Sequence, residues 1–226
     1  MRIKVNLKIF VFIILFILTN QIKVYGILML FAFLHELGHL IMGVCLGFRP
    51  VSISVKPMGI SINFKVSTEN CNKKVLYGNN LALKKMIIAF AGPFTNLIFV
   101  FLYVLTDINI FNIQKETAIY ANILIGLFNL IPIYPLDGGR IIKNLLHILF
   151  NLENSYKYTY IISNVSIILL TILASFGILY FKNIAILLMI LYLWAIIIIE
   201  NKYYKEKMKI YKIIKQHETQ KQVINN

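Results

Sequence analysis

Phe33-Leu34-His35-Glu36-Leu37-Gly38-His39-Leu40 lies inside an apolar run from Val24 to Phe48 and sets three ionisable residues among aliphatic and aromatic ones. The run is long enough to cross a bilayer as a helix, for which about 20 apolar residues suffice. Helical positions four apart share a face, so the imidazoles of His35 and His39 can converge on one zinc ion. Glu36 falls at neither ligand position; beside a metal it can take a proton from water and pass it to a leaving amine. Ionisable side chains in mid-span cost several kcal/mol and are rare without a function. The spacing is therefore read as a metal-binding pattern rather than a chance match in a buried helix.

The rest of the composition agrees with a membrane setting. Of 226 residues 59% are hydrophobic and 14% charged, and the mean hydropathy is +0.76. These values lie outside the range of soluble domains and point to a polytopic membrane protein. The formal net charge is +14. Its basic residues sit in short segments between apolar runs, which favours anionic lipid at the loops and tail as counterpart and excludes nucleic acid. Cys45 and Cys71 form no disulfide framework and are read as reduced thiols.

Spans and loops follow in order. Arg2, Lys4 and Lys8 precede the apolar stretch Ile9 to Leu18, which lacks a small-residue cleavage site and reads as a short first span. Val24 to Phe48 is the second. Between about 50 and 66, apolar and polar residues alternate on either side of Pro57-Met58-Gly59, which predicts a β-hairpin at the membrane surface. The hairpin is either a connector or an edge that guides substrate by strand addition. The third span follows Lys84-Lys85 and contains Ala89, Ala91, Gly92, Pro93 and Asn96, a small-residue pattern that close helix packing explains by itself. A polar turn with Asp107, Lys115 and Glu116 precedes the fourth span, Thr117 to about Ile131. Fifth and sixth spans are predicted at Tyr160 to Tyr180 and Ile184 to Ile199. The predicted fold is thus an all-α polytopic membrane protein of about six transmembrane helices, with a hairpin between the second and third. Residues 1–200 form the membrane domain and 201–226 a basic amphipathic tail, in which Lys202, Lys205, Lys207, Lys209, Lys212 and Lys215 alternate with apolar residues.

Pro132 and Pro135 break the backbone after the fourth span, and broken backbone is tolerated at membrane depth only inside protein or beside a cavity. Asp137 follows on that segment. It is a candidate third zinc ligand, though Leu-Asp-Gly-Gly is also good turn chemistry. Seven acidic residues fall in loops, span ends or tail; only Glu36 and Asp137 are embedded in apolar sequence. His147 has no partner in sequence and reads as a surface histidine.

Together, the zinc motif, Ala91-Gly92-Pro93-Phe94-Thr95-Asn96 and the segment Asn129-Leu130-Ile131-Pro132-Ile133-Tyr134-Pro135-Leu136-Asp137-Gly138-Gly139 resemble the site-2 protease family of intramembrane zinc metalloproteases. Within it the chain is most similar to the stage IV sporulation protein FB group. The resemblance implies one zinc held by His35, His39 and Asp137, Glu36 as acid-base residue, and Asn129 and Pro135 shaping the site. Asn96 and Pro132 are further site-shaping candidates. It also implies a membrane-associated sigma-factor precursor as substrate and inhibitory membrane partners. The CBS domain of that group has no counterpart in the short tail here. Other readings are a general site-2 protease cutting anti-sigma factors or signal-peptide remnants, a non-catalytic binding homologue, and a transporter, against which the absence of an inverted repeat argues.

With both termini in the cytosol, 20 of the 23 basic residues face inward. His39 then lies roughly 14 Å above the inner end of its helix, at 1.5 Å per residue, and the site opens to the cytosol. Reporters fused after residue 75 and at the carboxyl terminus are expected to read cytosolic, and one near Asn112 external. An external carboxyl terminus contradicts the span count, first of all at the short first segment.

Overall fold

The computed structural model describes residues 2–5, 8–18, 20–56, 59–65, 76–106, 113–181 and 184–224. In chain order these form β1 (Arg2–Val5), α1 (Lys8–Leu18), α2 (Ile22–Cys45), β2 (Arg49–Lys56), β3 (Gly59–Lys65), α3 (Leu76–Leu105), α4 (Lys115–Leu130), α5 (Asp137–Leu149), α6 (Leu152–Phe181) and α7 (Ile184–Ile224). The chain divides into two compact units, Met1–Leu130 and Ile131–Asn226. It is mostly helical. Among the described residues, three helical stretches are long and apolar enough to cross a membrane: Ile22–Cys45, Asn79–Leu105 and Leu152–Gly177. The expected first span is short: the 11 residues of α1 rise only about 16 Å against a hydrocarbon core of about 30 Å.

In the first unit α2, α3 and α4 pack on one another. Their core is Phe31, Tyr103, Ala118, Ala121 and Ile125, with Phe99 and Tyr103 set edge-on to Phe31 at 6.1 and 6.2 Å between ring centroids. Large apolar side chains on α3, among them Phe90, Phe94, Phe101 and Val104, stay exposed, as suits a lipid-facing surface. α2 ends at Cys45, and Gly47 just beyond it has a φ of 84°, a left-handed conformation that glycine takes without strain. The amide of Phe48 then donates to the Gly43 carbonyl at 2.9 Å, closing the helix end.

Strands β2 and β3 pair antiparallel with a register irregularity at Pro50, a residue without an amide to donate. The sheet differs from the expected hairpin in having a third strand. β1 pairs parallel to β2, with Arg2 opposite Ser52 and Val5 opposite Val55. Four alternating residues next to a long apolar run carry too little periodicity to be separated from a basic leader. The sheet contacts α2, where Gly43 leaves room for the Phe64 ring. The expected turn at Pro57-Met58 lies outside the described residues, as do Glu69, Cys71 and Asp107. Cys45 is a free, exposed thiol.

The second unit starts with the proline-broken segment 131–136, and Asp137, expected on that irregular segment, is instead the first residue of a helix. α5 was not anticipated as a helix of its own, and α6 begins at Leu152, earlier than expected. α6 and α7 run antiparallel. Asn164 and Asn201 exchange amide hydrogen bonds of 3.0 and 3.3 Å, and Trp194 donates to Thr171 at 3.0 Å. Ile167, Leu193 and Ile197 fill the space between. Ser155, Thr159 and Ser163 recur every four residues on the buried face of α6. Such small residues admit a close neighbour, and the Ser155 hydroxyl donates to the Lys143 carbonyl of α5 at 2.6 Å. The boundary expected at 200 and 201 falls inside α7, which continues without a break although its composition changes there from apolar to charged.

Candidate metal centre

In the first unit, His35 and His39 are both 3% exposed on the inner face of α2. Each ring is held at Nδ1. His39 Nδ1 lies 2.7 Å from the Ile88 carbonyl, a group that only accepts, so the proton of that ring resides on Nδ1. His35 Nδ1 lies 3.0 Å from Asn96 Oδ1, and the amide nitrogen of Asn96 is committed to the Asn122 carbonyl at 3.1 Å. Asn96 therefore accepts, and His35 also carries its proton on Nδ1.

Both Nε2 atoms consequently present lone pairs, and they stand 3.2 Å apart. Two lone pairs at that separation repel unless a cation draws them together. A tetrahedral zinc about 2.0 to 2.1 Å from each nitrogen requires them about 3.3 Å apart. The donor set and its spacing thus fit zinc. Gly92 of α3 adds a second sign. A Cβ built on it meets Nε2 of both histidines, so the missing side chain leaves open the space that both lone pairs face. Between the two histidines on α2, Gly38 allows similar closeness, because a Cβ there meets Thr95 and the Ala91 carbonyl.

Glu36 is half-buried on α2, one residue beyond His35. Asn129 is half-buried in the last turn of α4 and donates to its own helix at Ile125, 3.0 Å away. In the second unit Pro132 and Pro135 flank the break, with a cis peptide before Pro135. Asp137 is 4% exposed in the first turn of α5, where the unpaired amides of a helix start favour an anion. Arg140 lies 3.6 Å from its Oδ1, one turn on. The turn alternative for Asp137 is thereby corrected: Asp137, Gly138 and Gly139 are helical. Gly139 is there for space, since a Cβ on it meets the backbone of Ile133 and Tyr134. That segment is in turn held by Ser163, which accepts the Tyr134 amide at 2.9 Å. His147, half-buried near the end of α5, is not wholly on the surface.

Sequence reasoning passed over three contributors. Gly92 was credited to packing alone, although Gly-Pro beside an asparagine in a span was the available signal. Asn122, fully buried in an apolar run, was not singled out. The Ile88 carbonyl leaves no trace in sequence.

Residues 106–173 match the profile of Peptidase family M50. The chain is 26% identical over 143 residues to stage IV sporulation protein FB of Bacillus subtilis, covering 62% of this chain and 45% of that protein. It is 29% identical over 160 residues to a zinc metalloprotease of Methanocaldococcus jannaschii, covering 68% of this chain and 42% of that protein. It therefore spans less than half the length of these curated relatives. The structure matches the site-2 protease from Methanocaldococcus jannaschii with a TM-score of 0.61 and 26% identity, over 85% of this chain and 87% of that one.

Gly92→Ala is expected to weaken zinc binding about tenfold or more, in the range found when the surroundings of metal ligands are disturbed. Gly126→Ala serves as control, since a Cβ there meets Asn96 at 3.6 Å, an ordinary contact. Titration against a chromophoric chelator, with circular dichroism for folding, checks both; equal affinity in the two variants contradicts the open space at Gly92.

Proposed function

We propose that this chain, which carries a peptidase family M50 region homologous to the site-2 proteases, is an intramembrane zinc metalloprotease that hydrolyses a peptide bond of a membrane-tethered protein. The observation that carries the reading is the pair of imidazole lone pairs held 3.2 Å apart on a buried face of a membrane-length helix. At that separation the two nitrogens match the spacing of two ligands on one tetrahedral zinc.

His35, His39 and Asp137 are the proposed ligands, two nitrogens and one carboxylate oxygen. Zinc in such a site supplies a Lewis acid that activates water near neutral pH. Glu36, one residue beyond His35, would take up a proton from the attacking water and give it to the departing amine. Asn96 and the Ile88 carbonyl keep both rings in the tautomer that offers Nε2. Arg140, 3.6 Å from Asp137 Oδ1, complements the charge of that carboxylate. A peptide bond inside a helix is hydrogen-bonded and shielded, so the substrate has to be extended before cleavage. The edge of the sheet and the segment of Pro132 and Pro135 are the proposed places where it is held, with Asn129 helping to shape them.

The further reading is regulated intramembrane proteolysis of a sigma-factor precursor, restrained by inhibitory membrane partners. It rests on the sequence resemblance and on the similarity to stage IV sporulation protein FB. Six spans, cytosolic termini and a site open to the cytosol belong to the same proposal, supported by the 20 to 3 division of basic residues. Residues 1–200 act as the protease domain, and the basic tail of residues 201–226 lies on anionic lipid.

Purified protein is expected to carry one zinc per chain, lost in His35→Ala and kept in Glu36→Gln, while both variants lose cleavage of a co-expressed membrane-tethered substrate. Zinc retained in His35→Ala removes the ligand assignment. Asp137→Asn, similar in size but neutral, is expected to weaken zinc binding and lower cleavage more than about tenfold; near-normal cleavage with normal expression removes Asp137 from the site.

A further inference from the structure

We propose that the cleft between α5, α6 and α7, walled by Tyr134, Tyr156, Tyr160 and Tyr204 and charged by Lys143 and Lys207, binds the phosphodiester of an anionic phospholipid headgroup. The cleft lies wholly within the second unit. Lys143 Nζ stands 4.5 Å from the ring centroid of Tyr134 and 4.2 Å from that of Tyr156, and Lys207 Nζ stands 5.1 Å from the Tyr156 ring. Tyr160 and Tyr204 stack at 4.4 Å between centroids and close the far wall. Rings hold each ammonium by cation–π attraction from one side, and an ammonium with three donors can still address an anion on another. Holding two like charges against one ring costs repulsion, which a bound anion relieves.

Charge and polarity narrow the ligand. The lining has two lysines and one carboxylate, Glu200, so the surplus is a single positive charge that matches a phosphodiester. Neutral donors toward an anion are the Ser163 hydroxyl, whose oxygen accepts from Tyr134, and the second amide hydrogen of Asn201; Thr159 lines the cleft but donates to the Ser155 carbonyl. Burial, with Glu200 nearby, pushes the Tyr134 phenol above its ordinary range, so its hydroxyl remains a neutral donor.

Position in the fold favours a lipid over a soluble phosphate. On α6, Glu153 precedes the cleft-lining residues Tyr156 to Ser163 and exposed Lys157 lies at their level, whereas Val165 and Ile168 beyond them are exposed. On α7, exposed Ile198 and Ile199 lead up to Glu200, and exposed Lys202 and Lys205 follow it. The cleft therefore sits at the level where both helices change from apolar to charged. A headgroup bound there has its acyl chains beside the aliphatic face, the arrangement of basic lipid pockets at the ends of membrane helices. The same cleft contains Ser163 and Tyr134, which hold the segment leading to Asp137, so its occupant would steady that segment.

Native mass spectrometry of the full chain, with zinc removed by chelation and with equal amounts of phosphatidylglycerol and phosphatidylcholine, tests this independently of protease activity. Phosphatidylglycerol is expected to be retained in preference. Lys143→Gln and Lys207→Gln are each expected to lower its retention about fivefold, and Glu200→Gln to raise it. Lys207 is exposed, so its replacement preserves the fold even where Lys143→Gln does not. Equal retention of both lipids, unchanged retention in Lys207→Gln, or displacement of phosphatidylglycerol by inorganic phosphate alone overturns the proposal.

Discussion

Two imidazole nitrogens with lone pairs facing each other across 3.2 Å form the constraint on which the first unit depends. Nothing in an apolar helix bundle favours that arrangement. It is imposed from outside the pair, by a backbone carbonyl of α3 on one ring and a side-chain amide of α3 on the other. Each Nδ1 hydrogen bond does two things: it fixes the ring plane, and it sends the proton away from Nε2, leaving that nitrogen able to accept a metal. Asn96 can perform this task because its other end is anchored to α4 at Asn122. Three helices thus contribute to the orientation of two side chains on one of them.

The small residues of α2 and α3 follow from the same constraint. For the Ile88 carbonyl to lie 2.7 Å from an imidazole, the two helices have to approach more closely than ordinary side chains allow. Gly38 and Gly92 remove the Cβ atoms that would stand in the way. In a bilayer, where lipid tails are as apolar as leucine, that close contact and the hydrogen bonds it permits are also what hold helices together. Packing and function therefore place the same demand on these positions, so a small-residue pattern by itself does not distinguish them.

The second unit meets a comparable problem with different means. A backbone broken by prolines leaves amides and carbonyls without helical partners, and each costs free energy if left unpaired. The Tyr134 amide is satisfied by Ser163, and Gly139 lets the start of α5 lie directly against the broken strand of chain. The buried Ser155, Thr159 and Ser163 stripe of α6 is thus a polar rail for α5 and the segment before it. It secures the position of a buried carboxylate at a helix start without putting a second charge deep in the unit, since Arg140 remains 40% exposed.

What the sequence by itself determined was chemistry and periodicity. The His35 to His39 spacing, the rarity of acids in apolar surroundings, the alternation around Pro57 and the two prolines before Asp137 are all local patterns, so the candidate ligands, the strand pair and the helix break were legible. Tertiary structure decided what depends on distant parts of the chain meeting. β1 exists because Arg2 to Val5 finds the edge of β2, some fifty residues away in sequence. The tautomers of both histidines depend on atoms of α3, one of them a main-chain carbonyl that any residue would supply. Leu-Asp-Gly-Gly, good turn chemistry in sequence, winds into the start of α5, and its Gly139 lies directly against residues 133 and 134. Local patterns state which groups are available, but only packing brings a donor within 3 Å of its acceptor.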